Sequence, residues 1–213
     1  MGPMKEEYQE FLNQMGEEAF LNPYRDVCRK MGQKLEKINI DYSEKLGRTF
    51  ISQITYRIKT PESCLNKIVK KKYPVNRNAA GEYLGDIAGM RVICSFLDDI
   101  YKLAEIIKSD KELKVIKTKD YVKRPKASGY QSLHMIVEVP SSEEKRKIEI
   151  QIRTQAMNFW AVVEHHFVYK KGEYEKNKFE KDLKECARTI YKIDKKMLLI
   201  RKKMETAKKN EKK

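Results

Sequence analysis

Long hydrophobic runs are missing from this chain: each apolar stretch meets Lys or Glu well short of the roughly 18 residues a membrane-spanning helix needs. No segment reads as a signal peptide, so the expectation is a cytoplasmic protein with no membrane partner. Cysteine is scarce. Cys28, Cys64, Cys94 and Cys186 lie far apart without a CxxC pair, which argues against zinc, and three of them fall in apolar-periodic stretches that read as buried, reduced thiols. Histidine is limited to 3 residues, two of them adjacent at His165 and His166, a spacing that suits neither a Cys/His zinc pattern nor HExxH. GxxxxGK[ST] and GxGxxG are both absent, which excludes a P-loop and leaves a Rossmann site unsupported. There is no internal repeat and no flexible linker. Met1-Gly2-Pro3 read as a cloning remnant before a native start at Met4. One domain is expected over 4–206, with a core from about 24 to 171, a C-terminal helix over about 176–206 and a basic tail over 207–213.

What the chain has is charge. Lys and Arg number 46 against 31 Asp and Glu, so the net charge of +15 points to a polyanionic partner: nucleotide, RNA or anionic surface. The plain alternative is a lysine-rich solvated surface. Apolar residues at Tyr24, Cys28, Met31, Leu35, Ile38 and Tyr42 define one helix face, starting behind Asn22 as N-cap with Pro23 at the first position. Thr60 is a second cap, before a short helix carrying Ser63 and Lys67. Residues 76–85 read as turn-rich, 89–96 as a buried strand and 100–108 as helix. Strand patterns follow over 113–122, 132–139 and 147–154, then a helix over about 156–170. The chain closes on a seam of Phe179, Leu183, Cys186, Ile190, Ile193, Met197, Ile200 and Met204, in steps of four and three. Packing of this seam on the N-terminal helix is preferred to an intermolecular coiled coil. The fold class is therefore α/β (α+β), a mixed sheet flanked by helices with the N- and C-terminal helices packed together.

Chemistry concentrates where strand alternation is cleanest. Ile148, Ile150 and Ile152 face one way, while Lys147, Glu149, Gln151 and Arg153 face the other. Upstream, Lys126-Ala127-Ser128-Gly129-Tyr130 places a cation and a stacking ring at a strand entrance. With a strand beginning near Gly129, Tyr130, Ser132 and His134 share a face. Asp86, between Gly85 and Gly89 at the mouth of a buried strand, is a candidate metal carboxylate with Glu149 as its partner. Arg57, Lys59, Ser63 and Lys67 surround a helix start suited to phosphate. Downstream, Asn158, Ala161 and His165 fall on one helical stripe, and Trp160 and Glu164 on the adjacent one.

Five ordered pieces give this chain a resemblance to the synthetase domain of RelA/SpoT-type alarmone synthetases, in the small single-domain branch. They are Tyr56-Arg57-Ile58-Lys59 with Ser63 and Lys67, Asp86 through Val92, Ser128 through His134, Glu149 through Thr154, and Asn158 through His165. The resemblance implies a nucleotidyltransferase-like fold and transfer of the β,γ-pyrophosphate of ATP to the 3′-hydroxyl of GDP or GTP. AMP then leaves and ppGpp or pppGpp results. By position, Asp86 and Glu149 would hold Mg²⁺, with Glu149 also activating the 3′-hydroxyl. Arg57 and Arg91 would sandwich adenine, and Lys59, Ser63 and Lys67 would bind ATP phosphates. Tyr130 would stack on guanine, with Lys126, His134, Gln151 and Asn158 on the acceptor and with Arg153 and Glu164 in support. The small branch is commonly homotetrameric. Gly32 and Glu36 stand where the resemblance leads one to expect cations for an alarmone regulator, so allosteric activation is not expected.

Two rivals share the charge: a relative that places pyrophosphate on the 3′ end of tRNA, and a non-catalytic RNA-binding protein. Lys126, Tyr130 and His134 already make a small-nucleotide acceptor site, which speaks against the first. Two carboxylates in a polyanion groove repel phosphate unless metal is present, which speaks against the second.

Overall fold

Apolar periodicity at one end of the chain extends further upstream than its strongest stretch suggests. The computed structural model describes residues 3–141 and 145–210, except the side chains of 3, 4, 168–178 and 209. Helix α1 (Pro3–Gly16) buries Phe11 and Met15, one turn apart, so the core begins well before residue 24. Helix α2 (Glu18–Leu46) starts at Glu18, not at Pro23, because Phe20 continues the face of Tyr24, Val27, Cys28, Met31 and Leu35. Pro23 then lies inside the helix near its start, where its missing N–H forfeits one backbone bond. Met1 and Gly2 lie outside the described residues, whereas Pro3 opens α1.

Strand β1 (Ile51–Ile58) follows, then α3 (Pro61–Lys71), whose cap is Thr60 as expected: its hydroxyl accepts from Ser63 N. Residues 76–85 are not simply turns. Asn76 accepts from Ala79 N at 2.8 Å and caps α4 (Arg77–Tyr83), which buries Ala79 and Ala80. Next come β2 (Ala88–Cys94), α5 (Leu97–Ser109), β3 (Lys114–Asp120), β4 (Leu133–Val139) and β5 (Arg146–Thr154). Helix α6 (Gln155–Asn210) completes the chain.

The sheet is five-stranded and mixed, in the order β1-β2-β5-β4-β3. β2 and β5 run parallel, and the other three pairings are antiparallel. Register fixes the faces. Ala88, Met90 and Val92 pair with Ile148, Ile150 and Ile152, which pair in turn with Val137, Met135 and Leu133. This apolar face is covered by α2 and by Ile100, Leu103, Ala104 and Ile107 of α5. The opposite face presents Arg57, Arg91, Glu149, Gln151, Arg153 and His134.

A straight helix would separate Trp160 from Leu183 by about 34 Å. Trp160 Nε1 nevertheless donates to the Leu183 carbonyl at 2.9 Å, and Thr154 Oγ1 donates to Asp194 at 2.6 Å. α6 therefore doubles back and its two halves lie side by side, although it is one helical element over Gln155–Asn210 where the sequence pattern separates 156–170 from 176–206. Its second half buries Ala187 and Asp194 and packs Tyr191 and Leu198 on the core. Arg201 pairs with Asp98 of α5, and Glu205 lies 3.8 Å from Arg48, directly after α2, whose guanidinium grips buried Asp99 through two 2.7 Å bonds. The seam predicted to face the N-terminal helix instead looks outward: Ile193, Met197, Ile200 and Met204 are all exposed. A 4-3 spacing shifted by one position (Ala187, Tyr191, Asp194, Leu198, Arg201) makes the internal contacts. Helix continues through Asn210, past the expected start of the tail, and 211–213 lie outside the described residues. Cys28, Cys64 and Cys94 are buried and Cys186 is exposed. Among the described residues no helix is long and apolar enough to cross a membrane.

Candidate active site

The polar row of β5 lies against β2 and β4, so its neighbours follow from register. Glu149 is opposite Gly89 and Gln151 opposite Arg91, while Gln151 also faces His134 and Arg57 faces Gly89. Asp86 precedes β2 by two residues, so the loop delivers its carboxylate to the same end of the sheet as Glu149.

A closed ring of hydrogen bonds organises this face. Arg153 Nη2 donates to Tyr130 Oη at 2.5 Å and to Gln151 Oε1 at 2.7 Å. The Gln151 amide donates to Glu149 Oε2 at 2.8 Å, and His134 bridges Tyr130 Oη (2.8 Å) and Glu149 Oε1 (3.2 Å). With a carboxylate as acceptor, His134 Nδ1 is the donor, and its Nε2 accepts from Tyr130 in the neutral ring. Two donor chains from one guanidinium thus end on the two oxygens of Glu149. Burial alone would raise the Glu149 pKa, but His134, Gln151 and the Lys67 charge outweigh it and hold the group down at about 2. It is a carboxylate throughout the working range.

Asp86 is held by cations. Its Oδ2 lies 2.9 Å from Lys59 Nζ and 2.7 Å from Lys67 Nζ, and these two outweigh the effect of burial to lower its pKa. Its Oδ1 is buried without a hydrogen-bond partner. No cluster of three or more His, Cys, Asp or Glu suited to a metal occurs among the described residues. A fully protein-built cage is thereby excluded there, but the pair fits Mg²⁺, which takes one or two carboxylates and completes its shell with water and substrate phosphate. The unpartnered Oδ1 is the observation in favour.

A cavity of about 700 Å³ joins these groups, lined by Arg57, Asp86, Arg91, Lys126, Tyr130, His134, Glu149, Gln151, Arg153 and Glu164. Its size suits nucleotide-scale ligands. Burial lowers the Arg91 pKa, and the charges of Arg153 and Arg57 lower it further, so the cationic wall repels itself in the absence of an anion. Tyr130 lies between cations: Lys126 Nζ is 4.7 Å and the Arg153 guanidinium 4.9 Å from its ring centre.

Not every expected residue lines the cavity. Lys59 and Lys67 are outside the lining and reach it only through Asp86. Ser63 Oγ accepts from Thr60 at 3.0 Å at the start of α3, and Asn158, also outside the lining, has a buried, unpartnered Oδ1. Because β4 starts at Leu133, Tyr130 reaches His134 from the preceding loop and not as a strand neighbour, while Ser132 donates to the Ile152 carbonyl. Trp160 is core. Ser128, Ala161 and His165, which fell within the matched motifs but were given no role of their own, also line the cavity, as do Lys119, Tyr121, Val162 and His166, which were not expected there. Lys119 pairs with His134 across β3 and β4, and the Tyr121 ring meets those of Tyr130 and His134 edge-on. The alternation Lys117, Lys119, Tyr121 is the signal that could have found two of them.

A mixed sheet thus carries a cation-lined cavity that closes on two carboxylates and an aromatic ring, an arrangement suited to phosphorylated ligands. Residues 56–174 match the region found in RelA / SpoT proteins, and the chain belongs to that family, among its small alarmone synthetases. GTP pyrophosphokinase YwaC of Bacillus subtilis is 37% identical over 186 residues, covering 85% of this chain and 89% of that protein. GTP pyrophosphokinase YjbM of the same organism is 36% identical, covering 86% and 88%. The crystal structure of small alarmone synthetase 1 from Bacillus subtilis bound to its product pppGpp superposes with a TM-score of 0.77 at 34% identity, covering 87% of this chain and 96% of that one.

Proposed function

We propose that this chain is a (p)ppGpp synthetase that moves the β,γ-pyrophosphate of ATP to the 3′-hydroxyl of GDP or GTP and releases AMP. The observation that carries the reading is the convergence of both Arg153 chains on Glu149, in one cavity with cation-held Asp86. Phosphoryl-type transfer needs positioning and charge neutralisation and no covalent nucleophile, and the cavity offers those two things.

Glu149 is placed to accept the 3′-hydroxyl proton. Asp86 and Glu149 would hold Mg²⁺, which when bound supplies neutralisation of the phosphate charge. Arg57 and Arg91 bracket the adenine, using planar guanidinium faces that Lys lacks. Lys59 and Lys67 take the ATP phosphates, with Ser63 beside them at the helix start. Tyr130 stacks on guanine, and Lys126, His134 and Gln151 hold the rest of the acceptor, with Asn158, outside the lining, as a supporting group for the acceptor side. Glu164 supports that wall. Arg153 acts through Tyr130 and Gln151. Arg153→Lys keeps the charge but cannot serve both chains, so the acceptor KM is expected to rise about tenfold, the value of one charge-assisted bond, with the ATP KM unchanged. Steady-state kinetics in each substrate checks this, and an equal rise for ATP would contradict it.

A homo-oligomer, a tetramer by resemblance, accompanies this reading, and the outward stripe Ile193, Met197, Ile200 and Met204 supports it. Light scattering in solution reads the mass, and a monomer would refute it. For the reaction itself, the protein is incubated with ATP, Mg²⁺ and either GDP, GTP or tRNA, and the products are separated by chromatography. Transfer to GDP or GTP supports the proposal. Transfer to tRNA alone favours the tRNA-modifying reading, and transfer to none leaves RNA binding.

A further inference from the structure

A second concavity lies behind the acceptor loop. It encloses about 380 Å³ between residues 122–131 and the second half of α6, and its charged walls are Lys123, Lys126, Lys184 and Arg188. Among the described residues no carboxylate lines it. Another surface cavity, by contrast, mixes Arg77 and Lys147 with Glu82 and Glu138. Lys123 has a loose partner in Asp120 at 4.0 Å, while Lys126, Lys184 and Arg188 make no ion pair among the described residues. Converging cations with no counter-charge create a local potential that an anion relieves.

The placement is fixed by close packing. Gly129 has φ +94, and a Cβ there would come within 2.7 Å of Ala187 Cβ and 3.1 Å of Lys184 Cα. The loop backbone is therefore seated on α6 at the turn between Lys184 and Arg188, which share a helix face at i,i+4. Those two cations are thus held in register with the loop that carries Lys126 and Tyr130. Lys126 is the link, since it lines both this groove and the active-site cavity.

We infer that this groove is a subsite for the terminal 5′-phosphate of the acceptor nucleotide, so that Lys184 and Arg188 select a triphosphate over a diphosphate. The inference rests on the acceptor site proposed above. With the base on Tyr130, the 5′ chain passes Lys126. A diphosphate ends there, and a third phosphate reaches Lys184 and the Arg188 guanidinium, whose fork matches phosphate oxygens.

The test is calorimetric binding of GTP and of GDP, without ATP, to the wild-type chain and to Lys184→Met/Arg188→Met. Both side chains are exposed, so the fold should be kept, and a thermal melt verifies this. The wild-type protein is expected to bind GTP about tenfold more tightly than GDP, and the double variant should lose that margin while GDP affinity stays within about twofold. Equal weakening of both nucleotides, no change in either, or no preference in the wild-type chain overturns the subsite. Affinity is read without turnover, so the two ideas fail separately. Selective binding without transfer sinks the synthetase reading alone, and transfer without selective binding sinks the subsite alone.

Discussion

Glu149→Gln is expected to leave a folded protein whose synthesis rate falls by about a thousandfold or more, within the range that a positioned general base contributes and beyond it if metal binding is lost too. The substitution is nearly isosteric, but it fails at both oxygens. Glu149 Oε1 accepts from His134 and Oε2 from Gln151, and both partners are donors in that arrangement. An amide placed there presents its own NH₂ to one of them, so either one arm of the ring breaks or His134 switches tautomer and reverses the direction of its bond to Tyr130. The negative charge that complements Asp86 is lost as well. Because an amide does not ionise, raising the pH should not restore the lost charge in the variant. The substitution leaves Ile148, Ile150 and Ile152 untouched, so the fold should be kept. It disturbs a hydrogen bond in a ring that includes buried His134 and Arg153, so the melting temperature should fall by about a few degrees. Rate and melting curve together decide: a variant that melts normally yet keeps most of its activity would remove Glu149 from the chemistry.

Asp86→Asn is expected to be nearly as damaging to turnover, by about a thousandfold, since several kcal/mol of charge stabilisation correspond to about that factor. Its signature in binding should differ. Lys59 and Lys67 both spend their charge on Asp86 Oδ2, at 2.9 and 2.7 Å. Removing that charge frees two partly buried ammonium groups for ATP phosphates, so ATP should bind at least as well without metal while Mg²⁺ no longer accelerates anything. A magnesium titration of rate checks this. The wild-type chain should saturate and the variant should stay flat, whereas a variant that still responds to Mg²⁺ would place the ion elsewhere.

How much of this was legible in the sequence follows from how each residue is held. The β5 row was readable because a strand buried on one face keeps a strict period of two, and Ile148, Ile150 and Ile152 mark it without ambiguity. Its neighbour across the sheet, the loop of Asp86, was readable as an acid between glycines at the mouth of a buried strand, but its parallel pairing with β5 was not, because pairing of distant strands leaves no local pattern. β1 and β3 are the edges of the sheet. Their residues are mostly exposed on both sides, so neither β1 nor the cavity role of Lys119 and Tyr121 was visible. α4 was hidden by Asn76 and Gly81, residues that favour turns, until Asn76 proved to be a cap. The C-terminal seam was seen correctly as a 4-3 stripe but given the wrong direction, since spacing defines a face and not what covers it. Lys59, Ser63, Lys67 and Asn158 matched motif positions yet lie outside the cavity lining, because a motif transfers position along the chain and not the rotamer at the end of it.

The central claim concerns which phosphates move, and ATP labelled at its β-phosphate tests it most directly. With Mg²⁺ and GTP or GDP, the account predicts that the label leaves ATP together with the γ-phosphate, appears in a diphosphate on the acceptor's 3′-oxygen, and is matched one for one by AMP. Label retained in ADP, or released as free phosphate or pyrophosphate with no labelled acceptor, would contradict it.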